Sequence, residues 1–282
     1  MIRFGTWLVA ALGMAAGVAA AETPLERGKY LVEGILTCGN CHTPRVQSGA
    51  LDAARLHAGG PQTWETSEYK VKGANITPDR ETGIGGWSAD EVLRAIRDGV
   101  RPNGQQLSPQ MPYGYYRIFT PSDLEAVVAY VRSLPAVSGK VPASVYKVGK
   151  MHVEIPPGAD KPMPESAMKD PVKRGFYLVT LGHCMECHSP RTDGRSDLSA
   201  PGKGGEKFEG PWGVSVSRNI TSHPVAGLGG WSDVEIKRAI TQGVGKGGRK
   251  LLPPMGFAWY ARMTEPDLDA IVAYLRTVPP LE

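Results

Sequence analysis

Apolar positions recur at helical spacing in two widely separated stretches. Leu124, Val127, Val128 and Val131 stand at i, i+3, i+4 and i+7, and Leu268, Ile271, Val272 and Leu275 repeat the figure. Each set predicts one buried stripe along an amphipathic helix. Thr120 followed by Pro121 predicts where the first begins, because proline suits the first helical position. Another helix is announced by Ser88-x-x-Glu91, and its partner by Ser232-x-x-Glu235. These are capping boxes, in which serine and glutamate satisfy the free amides of the first turn reciprocally. Val92 and Ile96, matched by Ile236 and Ile240, give that helix its inward face. Arg27-Gly28-Lys29-Tyr30-Leu31-Val32 and Arg174-Gly175-Phe176-Tyr177-Leu178-Val179 predict a further helix in each half. No run alternates convincingly as a strand, so the expected fold class is all-α.

The matched elements form a duplication. Asn75-Ile76-Thr77 recurs as Asn219-Ile220-Thr221, Gly85-Gly86-Trp87-Ser88 as Gly229-Gly230-Trp231-Ser232, and Ala129-Tyr130 as Ala273-Tyr274, all at an offset of 144. One long repeat with so little slippage means two copies of a domain rather than a solenoid. The expected division is residues 22–136 for the first domain, 137–170 for a connector and 171–282 for the second. Prolines at 142, 156, 157, 162 and 164 suit an extended, semi-rigid connector. The chain holds 35 glycines and 24 prolines, which predicts short helices and long loops. A loop of about 30 residues within a compact domain is unusual unless it wraps a bulky group.

The net charge of +4 gives no case for a nucleic acid or an anionic membrane surface as partner. Residues 1–21 read as a secretory signal peptide: Arg3, then an apolar middle, then small residues ending at Ala21, the expected cleavage point. Export to the periplasm follows. No other stretch is apolar enough to span a bilayer, and Pro279-Pro280-Leu281-Glu282 follows directly on a helix, so no membrane span is expected of the mature chain.

All four cysteines fall in two motifs, Cys38-Gly39-Asn40-Cys41-His42 and Cys184-Met185-Glu186-Cys187-His188. An oxidising compartment permits disulfides, but bridging leaves the paired histidines without a role. A four-cysteine zinc site separates its pairs by about 15–20 residues, far less than the distance here. C-x-x-C-H is the attachment signature of c-type haem, with two thiols joined to the vinyl groups and the histidine reaching the iron. Two copies predict two covalent haem c groups, held by Cys38, Cys41, Cys184 and Cys187, with His42 and His188 as iron ligands. A backbone carbonyl near Pro44 and Pro190 is expected to fix each imidazole tautomer.

A filled sixth position makes an electron carrier and an open one admits small ligands. Methionine is a soft ligand whose pairing with histidine raises the potential. Of nine methionines, only Met111 and Met255 occupy equivalent positions in both copies, each in a proline-bearing loop. They are the expected sixth ligands. Arg45 and Arg191 are candidates to pair with a propionate. Trp87 and Trp231 are candidates to donate an indole N–H or to pack on the capped helix. Asn75 and Asn219 are expected to hold a turn. His57, His152, His183 and His223 have no histidine counterpart and read as surface or loop residues.

Several of these segments together resemble the class I cytochrome c family. They are Cys38-x-x-Cys41-His42-Thr43-Pro44-Arg45, Asn75-Ile76-Thr77-Pro78-Asp79, Gly83-Ile84-Gly85-Gly86-Trp87-Ser88, Met111-Pro112-Tyr113 and Ala129-Tyr130-Val131-Arg132-Ser133-Leu134-Pro135. The second copy keeps the pattern with Ser189, Ser222-His223, Leu228 and Gly256-Phe257 at the variable points. Among that family the chain looks similar to the haem domains in cytochrome subunits of bacterial membrane-bound alcohol and gluconate dehydrogenases. Such subunits typically have three haem motifs and a C-terminal membrane segment, whereas two motifs stand here. The resemblance implies two tandem class I-like domains, each wrapped round one haem. It also implies a non-enzymatic role, passing electrons from a periplasmic or membrane-bound dehydrogenase to an oxidase, the quinone pool or another cytochrome. A dihaem peroxidase or thiosulfate-oxidising cytochrome is the alternative, and it needs one iron open.

Overall fold

The computed structural model describes residues 21–192 and 195–282; most of the expected signal peptide, residues 1–20, lies outside them. The first copy runs through α1 (Pro24–Glu33), α2 (Cys38–His42), α3 (Ala89–Arg97), α4 (Tyr113–Tyr116) and α5 (Pro121–Ser133). The second repeats the order as α6 (Pro171–Leu181), α7 (Cys184–His188), α8 (Asp233–Gln242), α9 (Phe257–Tyr260) and α10 (Glu265–Leu275). No described helix is long and apolar enough to cross a membrane.

The starts of these helices follow from their first residues. Ser88 and Ser232 cap α3 and α8 with both halves of the box in place, and Thr23 with Glu26 does the same for α1. Thr120 and Thr264 accept from Asp123 N and Asp267 N at the heads of α5 and α10. In each copy the first helix crosses the last at a glycine. A Cβ on Gly28 would stand 2.0 Å from the carbonyl oxygen of Ala126, and one on Gly175 would stand 1.9 Å from that of Ala270. Backbones this close leave no room for a side chain, which is why the Arg-Gly pair recurs. Leu31 and Val32 pack with Leu124, Val127, Val128 and Val131 beneath the first crossing, and Leu178 and Val179 with Leu268, Ile271, Val272 and Leu275 beneath the second.

Small strands, which the sequence pattern does not reveal, qualify the all-α expectation. β1 (Thr63–Glu65) pairs antiparallel with β2 (Tyr69–Lys72), which pairs with β3 (Val145–Tyr146). In the second copy β4 (Arg191–Thr192) pairs with β5 (Arg195–Ser196), and β6 (Lys207–Gly210) with β7 (Gly213–Val216). Segments of two to four residues are too short for a period-two pattern to register. β3 belongs to the connector, which lies along the first copy. Met163 N donates to Ile118 O at 2.9 Å, and Gly139 and Gly114 pack against the backbone of Ala58 and Glu154. Met151 is buried against Tyr69 and Val71.

The two copies share one apolar core and meet through reciprocal polar contacts. Arg27 Nε donates to Asp123 within the first copy at 2.7 Å, and Tyr177 of the second donates its hydroxyl to the same carboxylate at 2.7 Å. Arg174 Nε donates to Asp267 within the second copy at 2.5 Å, and Tyr30 of the first donates to that carboxylate at 2.5 Å. Arg27 also lies over the Tyr30 ring, 5.4 Å from its centroid. The interface is therefore isologous in form, the same patch used by both partners as in a twofold dimer.

Candidate metal centres

Each Cys-x-x-Cys-His segment is a single helical turn entered through a left-handed residue, Thr37 at φ 48° and His183 at φ 40°. The turn puts both cysteines of a motif on one side, with the histidine beside the second. Glycines hold the backbone of the first motif in place. A Cβ on Gly60 or Gly73 would stand 1.9 or 2.0 Å from the Cys41 carbonyl. The four cysteines are unbridged. Burial pushes the thiols of Cys38, Cys184 and Cys187 up to about 12 and that of Cys41 up to about 11.

Both motif histidines donate Nδ1–H to a backbone carbonyl. His42 bonds Ala74 O at 2.7 Å and His188 bonds Arg218 O at 2.7 Å. These carbonyls immediately precede Asn75 and Asn219, so the Asn-Ile-Thr segment supplies the tautomer lock. Asn75 Oδ1 accepts from Thr77 N, and its Nδ2 donates to Val137 O; Asn219 repeats both, with Leu281 O as acceptor. Burial lowers the pKa of His42 and His188, outweighing the carbonyl's opposite pull. Each imidazole is thus neutral, with Nε2 free to act as a ligand.

The structure brings Cys38, Cys41, His42 and Met111 onto one cavity of about 310 Å³. It brings Cys184, His188 and Met255 onto a second of about 340 Å³, with Cys187 three residues along α7. Apolar side chains make up much of the remaining walls, with Ile84, Trp87 and Val131 in the first and Leu228, Trp231 and Leu275 in the second, where Arg218 and Arg249 also stand. The first cavity also contains a cation's orphaned donor: Arg101 lines it, and its Nε is buried without a partner among the described residues. Paired thiols, a neutral imidazole, a thioether and an unpaired guanidinium N–H around an apolar space fit a covalent haem with anionic propionates.

The cytochrome c family matches residues 25–135 and 172–279. The chain belongs to the cytochrome c family. Membership implies covalently attached haem c. The chain is similar to the cytochrome c subunit of quinone-type alcohol dehydrogenase from Gluconacetobacter polyoxogenes, 31% identical over 98% of this chain and 62% of the relative. It is similar to the fructose dehydrogenase cytochrome subunit of Gluconobacter japonicus, 32% identical over 93% of this chain and 54% of that one. A diheme cytochrome c-type protein of Cereibacter sphaeroides is 28% identical over 87% of this chain and 83% of its own length. The chain thus spans between about half and two thirds of the dehydrogenase subunits and most of the diheme protein.

Other residues fall differently within the two cytochrome c domains. Arg45 turns back on its own loop, donating to Gly49 O and Asn40 Oδ1, and Arg191 faces Glu206 at 3.5 Å. Trp87 and Trp231 line their cavities, and their carbonyls accept from the equivalent arginines Arg132 and Arg276. Two of the histidines expected at the surface or in loops do stand in turns, but they bear on the sites. His57 is 2% exposed, in a left-handed turn at φ 64° where the second copy has Gly202 at φ 83°. Its backbone N–H is held by Thr43 Oγ1, as that of Gly202 is by Ser189 Oγ. His183 lines the first cavity, reaching across from the second domain. Arg101 escapes a search for repeated residues because its equivalent is Gly245.

Proposed function

We propose that this protein is a periplasmic dihaem cytochrome c. It carries electrons from a dehydrogenase to the respiratory chain, by way of the quinone pool, an oxidase or a smaller cytochrome. The observation that carries this reading is the duplicated set of a neutral, carbonyl-locked imidazole and a methionine on one apolar cavity. Bound haem supplies one-electron exchange at its iron. The chain's own residues supply the rest: Cys38, Cys41, Cys184 and Cys187 hold the group by thioethers, while His42 and His188 present Nε2. Met111 and Met255 close the sixth positions. The apolar walls exclude water, which limits reorganisation when the charge changes. No side chain is needed as acid or base. The working units are residues 22–136 and 171–282, joined by 137–170, and residues 1–21 direct export. The names of the dehydrogenase relatives favour a partner that oxidises an alcohol or a sugar.

Carbon monoxide added to the reduced protein tests the closed irons. Slow or absent binding in the native protein is expected, with rapid binding at one haem in Met111→Ala and at the other in Met255→Ala. Rapid binding by the native protein at neutral pH favours the alternative, a dihaem peroxidase or thiosulfate-oxidising enzyme. Mixing the oxidised protein with candidate dehydrogenases and their substrates identifies the donor by which pair reduces it.

A further inference from the structure

Each domain supplies part of the other's cavity wall. Ile35 of the first lines the second cavity, while His183 and Glu186 of the second line the first. At the first motif the Trp259 indole lies so close to Gly39 that an added Cβ would stand 2.4 Å from it. At the second motif Tyr115 meets His183 edge-on, with ring centroids 6.4 Å apart. Tyr115 and Trp259 are equivalent residues of α4 and α9, so each of these short helices reaches over to the opposite attachment motif. Their neighbours Tyr116 and Tyr260 are buried, one on each cavity. Tyr116 shares the first cavity with Cys38 and Cys41, and Tyr260 shares the second with Cys184. The thioether sides of the two sites therefore face the same wall.

Glu186 breaks the symmetry of that wall. It belongs to the second motif, and its equivalent in the first is the neutral Asn40, yet it lines the first cavity. Its carboxylate lies 2.9 Å from His183 Nδ1, a close approach without hydrogen-bond geometry. It thus stands beside Cys187 in the chain and on the same cavity wall as Cys41. Glu206 faces Arg191 at 3.5 Å within the second copy and does not line the first cavity.

We propose that the wall formed by Tyr116, Tyr260, His183 and Glu186 is where an electron crosses between the domains, and that Glu186 is a shared charge setting the potential on both sides of it. The inference rests on the dihaem reading above. In the crossing one iron passes from Fe(II) to Fe(III) and the other from Fe(III) to Fe(II); no proton moves and no bond forms or breaks. A carboxylate stabilises the more positive ferric form by Coulomb attraction, so Glu186 holds both potentials down.

Redox titration of the full-length holoprotein tests this. The step that moves in Met111→Ala marks the first haem, and the haem content of each preparation is measured from its alkaline pyridine spectrum. Glu186→Gln, whose amide oxygen still faces His183, is expected to raise both potentials. Glu206→Gln is expected to raise only the second, and Glu186→Asp, which keeps the charge, to leave both near wild type. A first potential unmoved by Glu186→Gln overturns the proposal, as does an equal shift of the first potential in Glu206→Gln. A single haem per chain, or no step that responds to Met111→Ala, refutes instead the dihaem and ligand reading beneath it.

Discussion

Tyr177→Phe removes one hydroxyl and leaves the ring in place, so it isolates the interdomain hydrogen bond. Tyr177 is fully buried and Asp123 is 5% exposed, with 2.7 Å between hydroxyl and carboxylate. Hydrogen bonds to a charged group contribute about 1.5–3 kcal/mol, and burial of both partners favours the upper end. Asp123 keeps Arg27, so the carboxylate is not stranded and the loss stays within that range. Tyr30→Phe is the same experiment on the other side. Tyr30 is less buried, and its bond to Asp267 is backed by Thr264 N donating to the hydroxyl at 3.1 Å, so about 1–2 kcal/mol is expected after solvent screening. Arg174→Met differs in kind. It strands a carboxylate that is 1% exposed and keeps the Tyr30 hydroxyl as its donor, and breaking such a pair costs about 3–5 kcal/mol. Urea unfolding of the holoproteins, followed by far-ultraviolet circular dichroism, gives all three. If both phenylalanine variants fall within about 0.5 kcal/mol of wild type, the usual scatter of neutral surface changes, the contacts are not what couples the domains.

Three further outcomes follow from single residues. Gly175→Ala sets helix propensity, which favours alanine by about 0.5–1 kcal/mol, against a Cβ placed 1.9 Å from the Ala270 carbonyl. Crowding wins, and a net loss of about 1–3 kcal/mol in thermal or urea unfolding is expected; a gain refutes the crossing geometry. Burial lowers His57 from its ordinary 6.5 to about 4, so between those values the unfolded chain binds a proton that the folded chain refuses. Stability then falls as pH drops through that window, by up to about 1.4 kcal/mol per pH unit, and His57→Asn, which tolerates the left-handed turn, should flatten the fall. Arg101→Leu removes a cation from the first cavity and should lower the first potential in a redox titration while leaving the second in place.

The parts of the structure legible from sequence are those that both copies keep. Capping serines, the apolar stripes of α5 and α10, the paired cysteines and the placement of Met111 and Met255 on their cavities all follow from local pattern plus repetition. The acceptors of the histidine N–H groups are not legible, because a backbone carbonyl has no residue type to betray it; only the fold shows that Ala74 and Arg218 supply them. The short strands stay hidden because two to four residues carry no periodicity. Repetition also misleads. It dismisses His57, whose register with Gly202 is the signal of a positive-φ turn, and it dismisses His183 and Arg101 because their equivalents are Thr37 and Gly245. The interface was within reach of the same test, since Arg27, Tyr30 and Asp123 recur as Arg174, Tyr177 and Asp267. Ion-pairing residues repeated on otherwise apolar helices were the clue.

Those two classes of residue divide the labour between the domains. What holds the halves together obeys the pseudo-twofold: the glycine crossings, the Arg–Asp pairs and the tyrosines that reach across. A duplicated chain is expected to keep such contacts, because each is satisfied twice by one geometry. What stands at the wall and around the cavities departs from the pseudo-twofold, with Glu186 against Asn40, His183 against Thr37, Trp259 against Tyr115 and Arg101 against Gly245. The two cavities also carry their guanidinium groups at different places, Arg101 in the first and Arg218 and Arg249 in the second; that is a difference in charge environment, and charge environment is what separates two otherwise equal potentials. Identical sites would leave an electron no preferred side. On this argument the symmetric contacts fix the distance of the crossing, and the asymmetric residues set which way it runs downhill.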